Sequence, residues 1–299
     1  MAAQWLKGNT HTHTDCSDGD APLDLVAEWY QTHGYDFLVI TDHNRITEVG
    51  HWNSAGRDLL LLPGCEVSLS SEGKPVHVNS LGSTALPDLS SAGSIAAALQ
   101  RGVDAVRAAG GLPQINHPNY KWAFTDQQLR SVTNYSLLEV FNGSTETNNV
   151  GGGGRPGVEE TWDRLLAAGH RVWCVAADDS HDFRTEFWGH CSPPGLAWVM
   201  VRAEDRSVGA ILTALERGDF YASTEVVIER IELGRNSIRL KIAQEHDYLY
   251  TTHFIGAPGL LATVHGLAPD YHPRGGEGYV RAKVFSSNGG VAWTQPMFL

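Results

Sequence analysis

The sequence predicts an α/β fold, with a parallel sheet closed into a barrel and then a small antiparallel β-domain. Over the first two thirds of the chain, short apolar β-like runs alternate with helix-like segments that stop at glycine, the pattern of β/α units. From about Glu225 onward the texture changes to short β-like runs parted by turn residues. With 299 residues and 42% hydrophobic content, the chain can bury one large domain, or one large and one small.

Strands are expected over 6–12, 37–41, 59–62 (continuing to 69), 76–81, 112–116, 137–141 and 171–176, with an eighth over 197–201. Helices fit 22–32, 94–109, 156–168 and 207–217. Pro22 and Pro156 suit a first helical turn, and Gly34, Gly110, Gly169 and Gly218 suit the stops. The later runs are 226–233, 237–242, 253–255, 260–264, 279–285 and 291–293, with turns at Gly234-Arg235-Asn236 and Asn288-Gly289-Gly290. The expected division is a barrel over 1–223 and a β-rich domain over 224–299 packed on it. The glycines 151–154 belong to a flexible loop over 148–157; no strand directly precedes them, as a phosphate-cradling loop would require.

Lys+Arg 22 against Asp+Glu 34 gives a net charge of −12, which argues against an electrostatic nucleic-acid footprint. No run approaches the roughly 20 apolar residues of a membrane helix. The first residues lack the basic and apolar regions of a secretory signal, so a cytoplasmic location is expected. Cys16, Cys65, Cys174 and Cys191 are far apart and form no C-x-x-C pair; Cys65 and Cys174 read as small core hydrophobes.

Candidate ligands recur at one address. His11 and His13, at i and i+2 in an extended segment, point to the same side and can grip one metal ion. Asp42-His43-Asn44 follows the second strand and Glu66 the third; His77 lies within or near the fourth. Asn116-His117-Pro118 closes the fifth and Asp178-Asp179-Ser180-His181 the seventh. In a parallel barrel the carboxyl ends of the strands face one crevice, so residues scattered along the sequence converge there. A Ser-His-Asp hydrolase is disfavoured, because no G-x-S-x-G elbow is present.

Taken in order, H-x-H, S-D-G, T-D-H-N, a lone Glu, G-x-x-V-H, N-H-P and D-D-S-H resemble the PHP (polymerase and histidinol phosphatase) superfamily over roughly 6–223. The segments 139–143, 177–181 and 291–296 look like its carbaryl-hydrolase-like branch. This resemblance implies a distorted seven-stranded β/α barrel holding two or three divalent ions. His11, His13, Glu66 and Asp178 would bind the first, and Glu66 would bridge to a second held by His77 and His117. Asp18, His43 and His181 would hold a third; Asp15 and Asp20 rival Asp18, and Asp179 rivals Asp178. Imidazoles with a bridging glutamate suit manganese, zinc or iron better than calcium. Three such ions against three carboxylates leave a net charge of about +3, which attracts anions.

The implied activity is metal-dependent phosphoesterase chemistry on a phosphodiester or phosphomonoester, with a metal-bridging hydroxide as nucleophile and Glu66, Asp178 and His181 in catalytic positions. Aryl phosphotriesters are a possible side activity. One alternative is an aryl carbamate or carboxylic ester hydrolase using the same centre; another is a non-catalytic metal-binding module. The expected partner is a small-molecule ester, preferably anionic. Arg45 either bonds a substrate oxyanion or opens the next helix as a solvated residue, and Arg184 is a second candidate for the oxyanion. Tyr120, Trp122, Phe124, Phe187 and Trp188 follow ligand positions and are expected to line a pocket, with Trp122 in contact with substrate. His190 reads as structural, as do His246, His253, His265 and His272.

Overall fold

The structure, a computed structural model, describes residues 3–90, 93–184, 192–234 and 237–299. Its first part runs β1 (Gln4–Asn9), α1 (Leu23–Thr32), β2 (Phe37–Ile40), α2 (Gly50–Ser54), β3 (Leu60–Ser71), β4 (Lys74–Leu81), α3 (Ile95–Ala108), β5 (Leu112–Ile115), α4 (Asp126–Arg130), β6 (Leu137–Asn142), α5 (Val158–Ala167) and β7 (Trp173–Ala177). There follow β8 (Trp198–Ala203), α6 (Val208–Arg217) and β9 (Phe220–Ser223). The rest is strand: β10 (Ile228–Gly234), β11 (Ser237–Ile242), β12 (Tyr250–Gly256), β13 (Gly259–His265), β14 (Asp270–Tyr271), β15 (Tyr279–Ser286), β16 (Val291–Thr294) and β17 (Met297–Phe298).

The four expected helices are α1, α3, α5 and α6, and their ends follow local chemistry. The Ser94 and Ser207 side chains accept from the backbone N–H of Ala97 and Ala210 at the starts of α3 and α6. Gly218 closes α6 in the left-handed conformation at φ 78°. Among the described residues no helix is long and apolar enough to cross a membrane.

The fold is mixed α/β. Among the first seven strands, β1–β2–β3 and β5–β6–β7 pair in parallel, whereas β4 lies antiparallel between β3 and β5. Glu72 and Gly73 cause this reversal: a two-residue turn with φ of 53° and 71° folds β4 straight back on β3. The sheet curls until its two ends meet beyond β1 and β7. There His13 N–H donates to the Ser180 carbonyl at 2.9 Å and Asp179 N–H to the His11 carbonyl at 3.0 Å. The C-terminal strands continue this sheet, through β8, β9, β16, β15 and β12 to β13, while β10, β11 and β14 form a separate antiparallel sheet.

Strand alternation positions the site. Leu6, Phe37, Leu62, Leu81, Leu112, Leu137 and Val175, one from each of β1 to β7, share one buried cluster. Every second residue of a strand lies on the same face. Counting on in twos from this apolar floor reaches Glu66 in β3, His77 in the reversed β4, Gln114 and Asn116 at β5, Glu139 in β6 and Asp179 after β7. This face of the sheet therefore passes from apolar to polar within a few residues. Close packing forces Gly64 on the row to Glu66, because a Cβ there would sit 2.8 Å from the Ile40 carbonyl oxygen.

Candidate metal centre

Glu66 is fully buried at the middle of the polar end. Imidazole nitrogens of five histidines surround its carboxylate: His43 at 3.0 Å, His77 at 3.1 Å, His117 at 3.2 Å, His11 at 3.3 Å and His13 at 3.4 Å. Asp179 Oδ1 lies 3.0 Å from His11 Nε2 and 3.2 Å from His13 Nε2. Asp18 faces His43 and His181, each at 3.3 Å. These side chains form four overlapping groups whose ligand atoms lie within 4.8 Å of one another: His13 with Asp18, His43 and His181; His11 with His13 and Asp179; His11 with Glu66 and His117; and His43 with Glu66 and His77.

The donor set fits divalent cations on a specific observation. His11 Nε2, His13 Nε2 and His77 Nδ1 are buried without a hydrogen-bond partner, although carboxylate oxygens stand beside them. The Glu139 carboxylate accepts from His11 Nδ1 at 2.8 Å, so a neutral ring, as ligation requires, would turn the lone pair of Nε2 toward the other acceptors. A cation between such atoms satisfies both sides.

The charge states set by the protein alone are divided. Burial opposes protonation, but the surrounding carboxylates raise His11, His43 and His117 above the ordinary imidazole value and His181 to about 9. A cation would have to displace protons there. Burial alone would raise the Glu66 pKa, but His77 and His11 hold the carboxyl well below its ordinary range. Burial and the neighbouring His181 push His13 down to about 4, so it is neutral near pH 7, as ligation requires.

Around these groups, further residues hold them in place. Glu139 also accepts from His117 N–H and from Asn142 Nδ2, each at 2.8 Å, and Asn116 Nδ2 donates to Glu66 Oε1 at 2.8 Å. The Asp42 carboxylate takes Thr14 N–H at 2.7 Å and the hydroxyls of Thr14 and Ser17 at 2.8 Å each, fixing the turn that carries Asp18. Asn44, His117 and Asp179 adopt positive φ of 51°, 24° and 52° at this rim, a strain that clusters at functional sites. Sequence reasoning assigned no role to Glu139 or Asn116, although their even spacing from Leu137 and Leu112 puts both on the floor's face.

Eight of the nine expected ligand residues thus come together: His11, His13, Asp18, His43, Glu66, His77, His117 and His181. The expectation for Asp178 is corrected. Its carboxylate turns away and accepts the backbone N–H groups of Gly195, Leu196 and Ala197 at 2.8 Å each and the Tyr30 hydroxyl at 2.7 Å. Despite these bonds, burial lifts its pKa to about 6. Asp179 takes the expected place. The spacing rule that pairs His11 with His13 would have chosen it, since Asp179 and His181 are also two residues apart. Of the other rivals, Asp20 accepts the N–H groups of Phe183 and Arg184, and Asp15 belongs to none of the four groups.

The centre opens into a cleft of about 290 Å³, walled by Tyr120, Ser144, Glu146, Thr147, Asp182 and Ser192. The substrate-contact expectations fare less well. Arg45 and Arg184 are exposed and do not line the cleft. Tyr120 lines it instead of Trp122, whose ring lies under the Arg155 guanidinium at 5.4 Å, and Phe124 is buried in the core. Phe187, Trp188, His190 and Cys191 lie outside the described residues, as do Arg235 and Asn236.

The sequence matches no protein-family model and no curated protein. Among solved structures, the chain is similar to a two-domain protein from Bacteroides vulgatus containing a predicted PHP-like metal-dependent phosphoesterase, at TM-score 0.58 and 15% identity over 99% of this chain and 96% of that one. It overlays more loosely on an amidohydrolase from Chromobacterium violaceum with bound sulfate and no metal, at TM-score 0.44 and 15% identity, over 62% of this chain and 93% of that one. A third overlay, at TM-score 0.41 and 17% identity, is on a Bifidobacterium adolescentis protein provisionally assigned as a metal-dependent phosphoesterase, over 62% of this chain and 92% of that one. The last two likenesses are too loose to bear on the fold. The first shows a shared architecture along nearly the whole of both chains.

Proposed function

We propose that the protein is a metal-dependent hydrolase with a distorted barrel of the PHP kind, acting on a phosphate ester. The observation that carries this reading is the buried Glu66 carboxylate ringed by five imidazoles, with ring nitrogens on three of the site's histidines left unpartnered. His11, His13, Asp179, Glu66, His77 and His117 would hold two ions, and Asp18, His43 and His181 a third. Divalent ions supply an acidified water and stabilise the charge that develops on a transferring phosphoryl group.

The chain's own residues have separate tasks. Glu66 would help hold the cations and supply negative charge against them. Glu139 keeps the proton of His11 on Nδ1, and Asn116 holds Glu66 in its orientation. Asp178 pins residues 195–197 to the end of β7, which fixes the backbone beside Asp179. Tyr120 and Thr147 offer an aromatic face and a hydroxyl to the substrate.

A second reading, hydrolysis of a neutral aryl carbamate or carboxylic ester, is favoured by the cleft itself. Among the described residues no Lys or Arg lines it, so an anionic substrate would meet positive charge only at the ions. One experiment decides between the two. Metal-reconstituted protein is assayed against aryl phosphomonoester, phosphodiester, carbamate and acetate panels, with inorganic phosphate as competitor. Faster turnover of a phosphate ester, with inhibition by phosphate, is expected. Faster carbamate turnover without phosphate inhibition would install the second reading, and no turnover by metal-loaded protein would remove both.

A further inference from the structure

We propose that the Tyr120 hydroxyl is a catalytic hydrogen-bond donor, directed to an ester oxygen on which negative charge grows. The inference rests on the phosphate-ester reading above and adds a donor that the metal ligands do not supply. Among the described residues, four hydroxyl side chains line the metal cleft: Tyr120, Ser144, Thr147 and Ser192. Two of them are already committed. Thr147 gives its hydrogen to the Ser144 carbonyl at 2.8 Å, and Ser192 gives its own to the Asp179 carbonyl. Tyr120 is half-buried, and no described residue accepts from its hydroxyl. Ser144 is the rival donor, but Tyr120 is the one whose ring packs against ligand imidazoles. Its centroid lies 5.3 Å from that of His117 and 6.5 Å from that of His77.

The backbone around this ring is strained and tightly held. His117, Lys121 and Trp122 adopt φ of 24°, 49° and 53°, a conformation that non-glycine residues keep only where their surroundings impose it. Those surroundings are visible. Tyr120 N–H donates to the His117 carbonyl at 2.9 Å, and Ala123 N–H to the Tyr120 carbonyl at 3.1 Å. Lys74 Nζ donates to the Lys121 carbonyl at 2.7 Å. The side chains of Asn119 and Asn148 each donate to the other's carbonyl at 3.1 Å, tying this turn to the loop that carries Ser144 and Thr147. Every backbone tie is thus made, and the phenol O–H is the donor left over.

The charge of the cleft gives that donor its use. Besides the candidate ligands, its described lining holds the carboxylates of Glu146 and Asp182 and no Lys or Arg. An ester oxygen that does not face the ions therefore has a hydroxyl, not a cation, to turn to. The phenol keeps its hydrogen throughout the reaction. Its bond to the ester strengthens as the oxygen gains charge, which lowers the barrier without any proton transfer.

Titration calorimetry of inorganic phosphate into metal-loaded full-length protein gives a readout that needs no turnover. Tyr120→Phe keeps the ring and removes only the hydroxyl. It is expected to weaken phosphate about tenfold and to lower kcat/KM for a phosphate ester by at least as much, the effect of one hydrogen bond to a charged group. Its metal content, by elemental analysis, is expected to equal that of wild type. Equal phosphate affinity in the two proteins overturns the proposal, as does a wild-type protein that binds no phosphate. It is equally overturned if Tyr120→Phe loses metal in step with turnover, which would make the tyrosine a mere support for His77 and His117. A larger loss of phosphate affinity in Ser144→Ala than in Tyr120→Phe overturns it too. The hydrolase reading fails separately: wild type that turns over no ester removes that reading, while the calorimetric comparison still decides whether Tyr120 is the donor.

Discussion

Two polar clusters, each built round one fully buried charged side chain, Glu66 or Arg281, differ in how their charges are matched. Around Arg281, opposite charges meet directly: the guanidinium bonds Asp163 and Glu159, and Lys283 bonds Glu159. At Glu66 the carboxylates are outnumbered by imidazoles, and buried ring nitrogens face acceptor oxygens with no hydrogen bond between them. The first arrangement is complete, apart from one N–H, and it ties α5 to β15. The second is a set of ligands assembled around positions that a cation would fill. Burial alone therefore does not identify a functional site; the mismatch of donors and acceptors does.

The comparison is tested most severely at Glu66. Glu66→Gln keeps the shape and removes the charge, and it should cut turnover on the order of a thousandfold, as loss of a key electrostatic group does. It should also lower the metal content measured by elemental analysis. Near-normal turnover with full metal content would show that Glu66 is only a structural neighbour. At the other cluster, Arg281→Ala leaves two half-buried carboxylates without their main partner and should destabilise the protein by about 3 kcal/mol in chemical denaturation, the low end for a broken buried pair. A loss below about 1 kcal/mol would mean that the cluster is solvated like a surface pair.

A smaller effect separates the two neighbouring aspartates. Asp179→Asn should deplete bound metal. Asp178→Asn should retain it but cost about 1–3 kcal/mol of stability, because an amide mismatches one of the backbone donors now served by the carboxylate. If metal is lost from Asp178→Asn and retained by Asp179→Asn, the ligand assignment reverses. The smallest effect expected is on pH dependence. Burial opposes ionisation of Glu159, but Arg281 and Lys283 outweigh it and hold its carboxyl below the ordinary value of 4.5. A depressed folded-state pKa contributes stability above the unfolded value and loses it as pH falls through the folded one. Urea midpoints should therefore fall less steeply below about pH 4.5 in Glu159→Gln than in wild type. Parallel slopes would show that Glu159 gains nothing from its cations.

Most of the candidate ligands could be read from the sequence because they follow apolar runs, and strand alternation places Glu66 and His77 on one face. The family resemblance implied Asp178 with Asp179 as its rival, and the two-residue step between Asp179 and His181 is the local signal for Asp179. Arg45 and Arg184 sit in loops, where spacing says nothing about the direction a side chain takes, and both face solvent. The Arg281 cluster was invisible for another reason. Glu159 and Asp163 share a face of α5 by their four-residue spacing, and Arg281 and Lys283 share a face of β15 by their two-residue spacing. Nothing local states that these faces meet. The reversal of β4 was encoded in Glu72-Gly73, but the repeating pattern of strands and helices over the first two thirds of the chain pointed to a parallel sheet throughout.

The loop after β6 constrains how this protein can diversify. Ser144, Glu146 and Thr147 wall the metal cleft, whereas Asn149 and Val150 wall a second cleft between α5 and the C-terminal strands. Asn149 grips the backbone of Asn142 on both sides, accepting its N–H at 3.1 Å and donating to its carbonyl at 2.8 Å. Asn142 in turn donates to Glu139 at 2.8 Å and Asp179 at 3.1 Å. An insertion that widened the mouth would loosen this knot and disturb Glu139 and Asp179 behind it. Lineages on this scaffold are therefore expected to change substrate by swapping side chains at 144, 146 and 147 while keeping the loop's length, so that the two clefts are inherited together.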